Sequence, residues 1–353
     1  TCPDQVWKGA VRRGELTMEE FHGIYDKFVE REISGLGKGK VFDYTISVES
    51  QRAQVHFEEA LHQDKWEAYL RSSYLNIGEL NQLYGTNYQN FSEVPFEEKL
   101  PANPAKKFDY TRMRQIMIAD ELTRAAKQTK EMDPGAIAHG YPYVWTFRDP
   151  AAYYEHAMDP ELDMEFMDMV GCDTSGSYES KRYAMSTITW LAGYYDLMRS
   201  VADDRPLNEG EFHFANRRKI YPQNWTRAIY FQSYMHGISS SYYWVWARSP
   251  NIGSAVNLDA NVMHGTGIAA LDLQRASDAI AAFHDRPNDV VLLYSNSSSP
   301  HSRRVSDALV LSQMTQSDRI YEGIYFEGMQ VGYVTEQKID QGFLDRYKVL
   351  IVP

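Results

Sequence analysis

The chain has 353 residues, 43% hydrophobic and 24% charged, a balance that supports a large packed core and excludes disordered, collagen-like and coiled-coil architectures. Its 48 acidic against 36 basic residues leave a formal charge of -12, which repels phosphate backbones and argues against nucleic acid as a partner. No apolar run approaches the roughly 20 residues that cross a bilayer, and Cys2 and Cys172 are too few for a disulfide framework or a thiolate metal site.

Residues 14–33 predict a helix, with Thr17 as N-cap, Glu19 and Glu20 in its first turn and Phe21, Ile24, Tyr25 and Phe28 in one apolar stripe; Gly35, Gly37 and Gly39 end it. The alternating segment 40–48 reads as a strand arriving at Glu49. A helix follows, carrying Phe57, Leu61, Trp66, Tyr69, Leu70 and Tyr74. Residues 75–104, with Gly85, Pro95, Pro101 and Pro104, read as a long ordered loop. A second long helix is expected over 109–132, opened by Asp109 or Thr111 and closed by Asp133-Pro134-Gly135.

From there short strand candidates at 136–140, 167–171, 205–210 and 241–246 alternate with helical stretches at 178–202, 222–237 and 262–284. Such alternation argues for βα units and a parallel sheet. A turn cluster at Asp285-Arg286-Pro287-Asn288-Asp289 separates this region from an apolar strand at 290–294, a Ser-rich loop, a helix at 303–314 and a closing strand at 348–352. Two domains are therefore expected, 1–285 and 286–353.

Parallel βα units present functional residues at the C-terminal ends of their strands. Those ends carry Glu49; Tyr141, Tyr143 and Trp145; Asp173; Glu209, Glu211 and His213; and Trp244, Trp246 and Arg248. Acids beside flat rings suit a sugar, whose C–H face stacks on aromatic planes while its hydroxyls bond to carboxylates and amides. Two carboxylates meeting in such a cavity are what glycosidic cleavage needs, one protonating the departing oxygen and the other attacking the anomeric carbon or activating water.

The run Arg205-Pro206-Leu207-Asn208-Glu209-Gly210-Glu211-Phe212-His213, followed by a segment with His236, Gly237, Trp244 and Trp246, resembles the last two strands of the retaining clan A glycoside hydrolases, and most closely the β-galactosidase-like family 42. Leu80, Asn81, Tyr84, Gly85 and Thr86 match the stretch that follows the acid/base in that family. The resemblance implies a (β/α)8 TIM-barrel fold, here its C-terminal strands only, followed by the start of a flavodoxin-like α/β domain of the kind that builds trimers. It implies hydrolysis of O-glycosidic bonds by a retaining double displacement, β-galactosides favoured, with Glu211 as nucleophile and Glu49 as general acid/base, its pKa raised by its surroundings. Trp246, Trp244, Tyr141 and Trp145 would stack on sugar, and His213, Asp173, Arg248 and Asn208 would meet hydroxyls. The family usually has Asn before the acid/base, where this chain has Val48. The N-terminal part of the barrel is expected to lie outside the sequence. The chain reads as soluble, and secretion or a periplasmic location stays open.

Glu209 is the alternative nucleophile, because a two-residue step along a strand preserves the face. A barrel that only binds saccharide is the rival to an enzyme. A metal-dependent hydrolase would use His139, Asp173, Glu211 and His213, but no His-x-His or His-Glu-x-x-His pair supports it, so no metal is assigned. The Ser-rich loop 295–302 resembles a flavin phosphate cradle, yet no aromatic clamp accompanies it, and no cofactor is assigned.

Overall fold

The computed structural model describes residues 14–48, 59–96, 101–141, 159–175, 180–213, 222–244, 259–284, 288–298 and 313–353. The chain forms two compact units, one of residues 1–139 and 151–167, the other of residues 140–150 and 168–353.

In the first unit, helix α1 (Met18–Leu36) has the expected cap, Thr17, but starts later and ends later than the expected 14–33. The Thr17 hydroxyl accepts from the Glu20 N–H at 3.2 Å while the Glu20 carboxylate accepts from the Thr17 N–H at 2.8 Å, a reciprocal capping box. Gly37, at φ 87°, ends it. Strand β1 (Asp43–Val48) follows, then helix α2 (Glu59–Ser73).

The expected loop at 75–104 is corrected by a helix inside it, α3 (Ile77–Tyr84), and a 3-10 turn at Phe91–Glu93. Asn76 caps α3 by accepting from Glu79 N–H at 3.0 Å, and Gly85 closes it in the left-handed conformation at φ 67°. Leu80 and Tyr84 drop into the core between these. Asn81 ties the exit, accepting from Thr86 Oγ1 at 2.8 Å and Tyr88 N–H at 2.9 Å and donating to the Tyr88 carbonyl at 2.8 Å. The Leu-Asn-x-x-Tyr-Gly-Thr stretch is thus a helix stop stitched to the next turn.

Helix α4 (Pro104–Met132) also starts earlier than the expected 109, because Pro104 occupies the first turn, where a missing N–H costs nothing, and Asn103 caps it. Asp109, expected to open this helix, is buried within it and accepts hydrogen bonds from the hydroxyls of Tyr69, Tyr74 and Tyr84. Burial raises its pKa, opposed by those three phenols. Around them Trp66, Leu70, Leu80, Phe91, Val94, Phe96, Tyr110, Met113 and Met117 form the core. Strand β2 (Ile137–Tyr141) neighbours β1, and the Asp133 carboxylate between α4 and β2 accepts from Gly39 N–H and Tyr44 OH, each at 3.0 Å.

In the second unit β3 (Met169–Ser175), β4 (Leu207–His213) and β5 (Ile238–Tyr243) lie side by side and parallel, with helices α5 (Ser180–Ala202) and α6 (Gln223–Met235) on the connections. The helix expected over 262–284 is two, α7 (Ala260–Arg275) and α8 (Ser277–His284), broken at Ala276. Gly265 lets α7 lie against α6: a Cβ there would stand 2.8 Å from the Gln223 carbonyl oxygen and 2.9 Å from Thr226 Cβ. Gly265→Ala is therefore expected to lower stability by about 1–3 kcal/mol through overpacking, read as a reduced midpoint in urea unfolding.

The chain then builds a three-stranded parallel sheet in the order β7-β6-β8, from β6 (Val290–Tyr294), β7 (Val331–Thr335) and β8 (Val349–Ile351). Residues 303–312 of the expected helix lie outside the described residues, and helix α9 spans Gln313–Phe326. Strand β7 and the short helix α10 (Glu336–Asp340) add elements within 315–347, where none was expected. Asp196 on α5 ties this sheet's elements to the βα layer, accepting from Tyr321 OH on α9 at 2.6 Å and bonding His236 Nδ1 at 2.8 Å.

Candidate active site

Strand β4 carries the acids, and its register decides where each points. Cys172 pairs with Glu209, but the next residue of β3, Asp173, pairs with Glu211, leaving Gly210 as an extra residue. The other neighbour reports the same irregularity, since Ser241 pairs with Glu209 and Tyr243 with Phe212. Strand β4 thus bulges at Gly210, and the two-residue rule fails across it. The expectation that Glu209 and Glu211 share a face is corrected.

One face carries Leu207, Glu209 and Phe212 toward the helices. Phe212 meets Tyr230 of α6 edge-on at 5.4 Å. Glu209, fully buried, accepts from Thr174 Oγ1 at 2.6 Å and from Tyr195 OH on α5. Tyr195 OH lies 3.1 Å from Thr174 Oγ1 and accepts from Ser233 of α6 at 3.2 Å. Burial pushes the Glu209 carboxyl up to about 8, against the two hydrogen bonds that lower it.

The opposite face carries Asn208, Glu211 and His213 of β4 with Asp173 of β3. His213 Nε2 stands 3.2 Å from Glu211 Oε2 and 3.5 Å from Asp173 Oδ1, so one imidazole spans two carboxylates. Asp173 and Glu211 are buried, at 1% and 6% exposure, whereas the His213 side chain is 32% exposed and forms the outer edge of the cluster. Asn208, at 0% exposure, lies deeper and accepts from Ser240 Oγ at 2.8 Å. Trp244 follows β5 and is partly exposed, with its ring 6.1 Å from that of His213.

The ligand-type atoms of Asp173, Glu211 and His213 lie within 4.8 Å of one another. A histidine bridging two carboxylates takes this spacing by itself, and we assign no metal to it. His139, the fourth residue of the metal reading, belongs to the first unit; it is buried, with Nδ1 3.6 Å from Asp43 and Nε2 3.5 Å from Thr45 Oγ1, and burial lowers its pKa.

Glu49, Trp145, Trp246 and Arg248 lie outside the described residues, as does the side chain of Tyr141, the last residue of β2. His236, which opens the stretch that carries the resemblance, caps the C-terminus of α6 and stacks on Tyr325 at 6.0 Å, before β5 begins. Sequence reasoning missed the Glu209–Tyr195–Thr174 cluster; a glycine inside a strand pattern was the available sign of a bulge. In the Ser-rich loop, the backbone N–H groups of Asn296 and Ser297 hold the Glu336 carboxylate at 2.9 and 3.3 Å, with Ser295 Oγ also donating to it.

The sequence model of glycoside hydrolase family 42, described as beta-galactosidase, matches residues 33–270. The chain belongs to this family. Among solved structures it is similar to the apo exo-carrageenase of family 42 from Bacteroides ovatus, with a TM-score of 0.70 and 21% identity over 87% of this chain and 43% of that one. It is also similar to the beta-galactosidase from Rahnella sp. R3, with a TM-score of 0.73 and 16% identity over 94% of this chain and 50% of that one. The beta-galactosidase from the Antarctic haloarchaeon Halorubrum lacusprofundi gives 0.72 and 16%, over 95% and 52%. The α/β fold with parallel strands is shared with these structures, and the chain spans about half their length. No curated protein matches the chain. Among the described residues no helix is long and apolar enough to cross a membrane.

Proposed function

We propose that the protein is a retaining β-glycosidase, β-galactosidase-like, with Glu211 as nucleophile and Glu49 as general acid/base. The observation that carries this reading is the bulge in β4, which turns Glu211 away from the helix layer to share a face with Asp173 and His213, in a chain of family 42. Glu49 would protonate the glycosidic oxygen as Glu211 attacks the anomeric carbon; the aglycone leaves and a glycosyl ester remains on Glu211. Glu49 would then take a proton from water, whose oxygen displaces Glu211 and restores both carboxyl groups. Such a pair requires a separation of about 5–5.5 Å.

In this reading the exposed face of Trp244, with Trp246, Tyr141 and Trp145, supplies the aromatic floor, and His213, Asp173, Arg248 and Asn208 engage hydroxyls directly or hold those that do. Residues 1–285 form the C-terminal strands of the (β/α) barrel and 286–353 begin a flavodoxin-like domain. The order β7-β6-β8 supports that, since it is the 2-1-3 start of a doubly wound sheet. A trimer through that domain is part of the same proposal.

A panel of chromogenic aryl glycosides tests the function, with carrageenan oligosaccharides added because a neighbour of this fold is an exo-carrageenase. We expect release of the aryl group from a β-linked galactoside above all other sugars, with the first-formed sugar in the β configuration by proton NMR. A first-formed α-anomer would overturn the double displacement. Binding of sugar with no turnover of any substrate would favour the saccharide-binding barrel that Val48 suggests.

A further inference from the structure

Glu209 plays no part in the chemistry just described, yet it is a fully buried acid held by hydrogen bonds on the strand that carries Glu211. It lies one residue before the bulge, and its two oxygens take separate hydroxyl partners from two elements: Thr174 of the adjacent strand and Tyr195 of the covering helix. Tyr195 is held in turn by Ser233 of α6, so the carboxyl ties β4 to both flanking helices. Without the bulge, Glu211 would fall on the face of Glu209 and project into α5. A bulge has to be held in place, because the regular ladder competes with it.

We propose that Glu209 is a positioning residue for Glu211: its carboxyl pins β4 to the helix layer immediately before Gly210, so that the extra residue falls there and Glu211 turns to the face of Asp173 and His213. The inference rests on Glu211 being the nucleophile.

The surroundings decide in which form Glu209 does this. The groups facing it are Tyr194 and Tyr195 of α5, Cys172 of β3 and Tyr234 of α6, and burial raises the pKa of each, Tyr194, Tyr195 and Cys172 most strongly. Among the described residues no opposite charge offsets the burial of Glu209, and its carboxyl is pushed up to about 8. With the folded value above the unfolded one, the stabilisation is full below the ordinary carboxylate range and is lost as pH rises through the folded value. The anchor therefore weakens on the alkaline side.

The test compares Glu209→Gln, Glu209→Leu and Glu211→Ala in the full-length protein, by kcat and KM on the best aryl glycoside across pH, with thermal unfolding as the check on folding. Glu209→Gln, which keeps shape without an ionisable proton, is expected to retain kcat within about threefold at neutral pH and to remove the part of the alkaline fall that ionisation of Glu209 near pH 8 adds to the one set by the general acid Glu49. Glu209→Leu is expected to lower kcat by about ten- to a hundredfold with KM unchanged, the signature of a misaimed nucleophile. Infrared difference spectra should show a protonated carboxyl band at pH 7 that Glu209→Gln removes.

A folded Glu209→Leu with wild-type kcat overturns the proposal. Where that variant does not fold, an alkaline limb unchanged in Glu209→Gln overturns it instead. Glu211→Ala separates the two layers. If it is inactive while the Glu209 variants behave as wild type, only the positioning role fails. If it is active, the nucleophile assignment itself fails, and a Glu209→Gln that is then inactive makes Glu209 the nucleophile.

Discussion

Glu211→Ala is expected to cut turnover by on the order of 10³-fold or more, because it removes the atom that forms the covalent intermediate rather than one that helps position it. Substrate affinity should change little, since the stacking surface around Trp244 is untouched. The cleared space sits beside His213, whose Nε2 stands 3.2 Å from the missing carboxylate. A small anion such as azide can enter there and attack the anomeric carbon in place of the side chain. Azide should therefore restore a measurable fraction of turnover and yield an α-glycosyl azide, one inversion in place of two. Proton NMR of that product checks the assignment, and rescue giving the β-azide would mean that another group still acts as nucleophile.

Trp66→Ala should have the largest effect on stability in the first unit, about 3–5 kcal/mol. Trp66 is fully buried, stacked on Tyr69 with ring centroids 5.7 Å apart and set against Phe96 at 5.5 Å. Its loss would leave a hole between α2 and the turn at Phe91, and would loosen Tyr69, one of the three phenols that satisfy the buried Asp109. Urea unfolding followed by tryptophan fluorescence would report it as a lower midpoint, with Tyr69→Phe as a milder comparison that removes one donor and no volume.

Much of the fold was legible where one local signal suffices. Thr17 with Glu20, the alternation of 40–48 and the apolar run 290–294 each specify their element without help from distant residues. Helix α3 was not legible, because eight residues scarcely hold a helix alone and its stability comes from Leu80 and Tyr84 packing on α2 and α4. The start of α4 was misread because Pro104 looks like a breaker until Asn103 is recognised as its cap.

For the site, residue type and spacing brought Asp173, Glu211 and His213 onto one page, and the structure brings them within hydrogen-bonding reach. What the sequence could not show was the side of the strand on which each acid falls. Periodicity counts residues, whereas a bulge is decided by competition between two neighbouring ladders and by what a buried carboxyl finds to bond with. The sequence also could not show that Glu336 would fill the nest of N–H groups in the Ser-rich loop, since the two are about 40 positions apart.

The carboxylate of Asp196 has a bearing on how the second unit comes apart. One oxygen serves the histidine that ends α6 and the other serves a tyrosine of α9, so the same acid is a partner to two regions the chain visits more than eighty residues apart. Peeling either region away would strand that acid in a poorly hydrated place and strip an aromatic neighbour from the stack of His236 on Tyr325. The two layers are thereby fastened by a shared rivet, and melting of one is charged against the other.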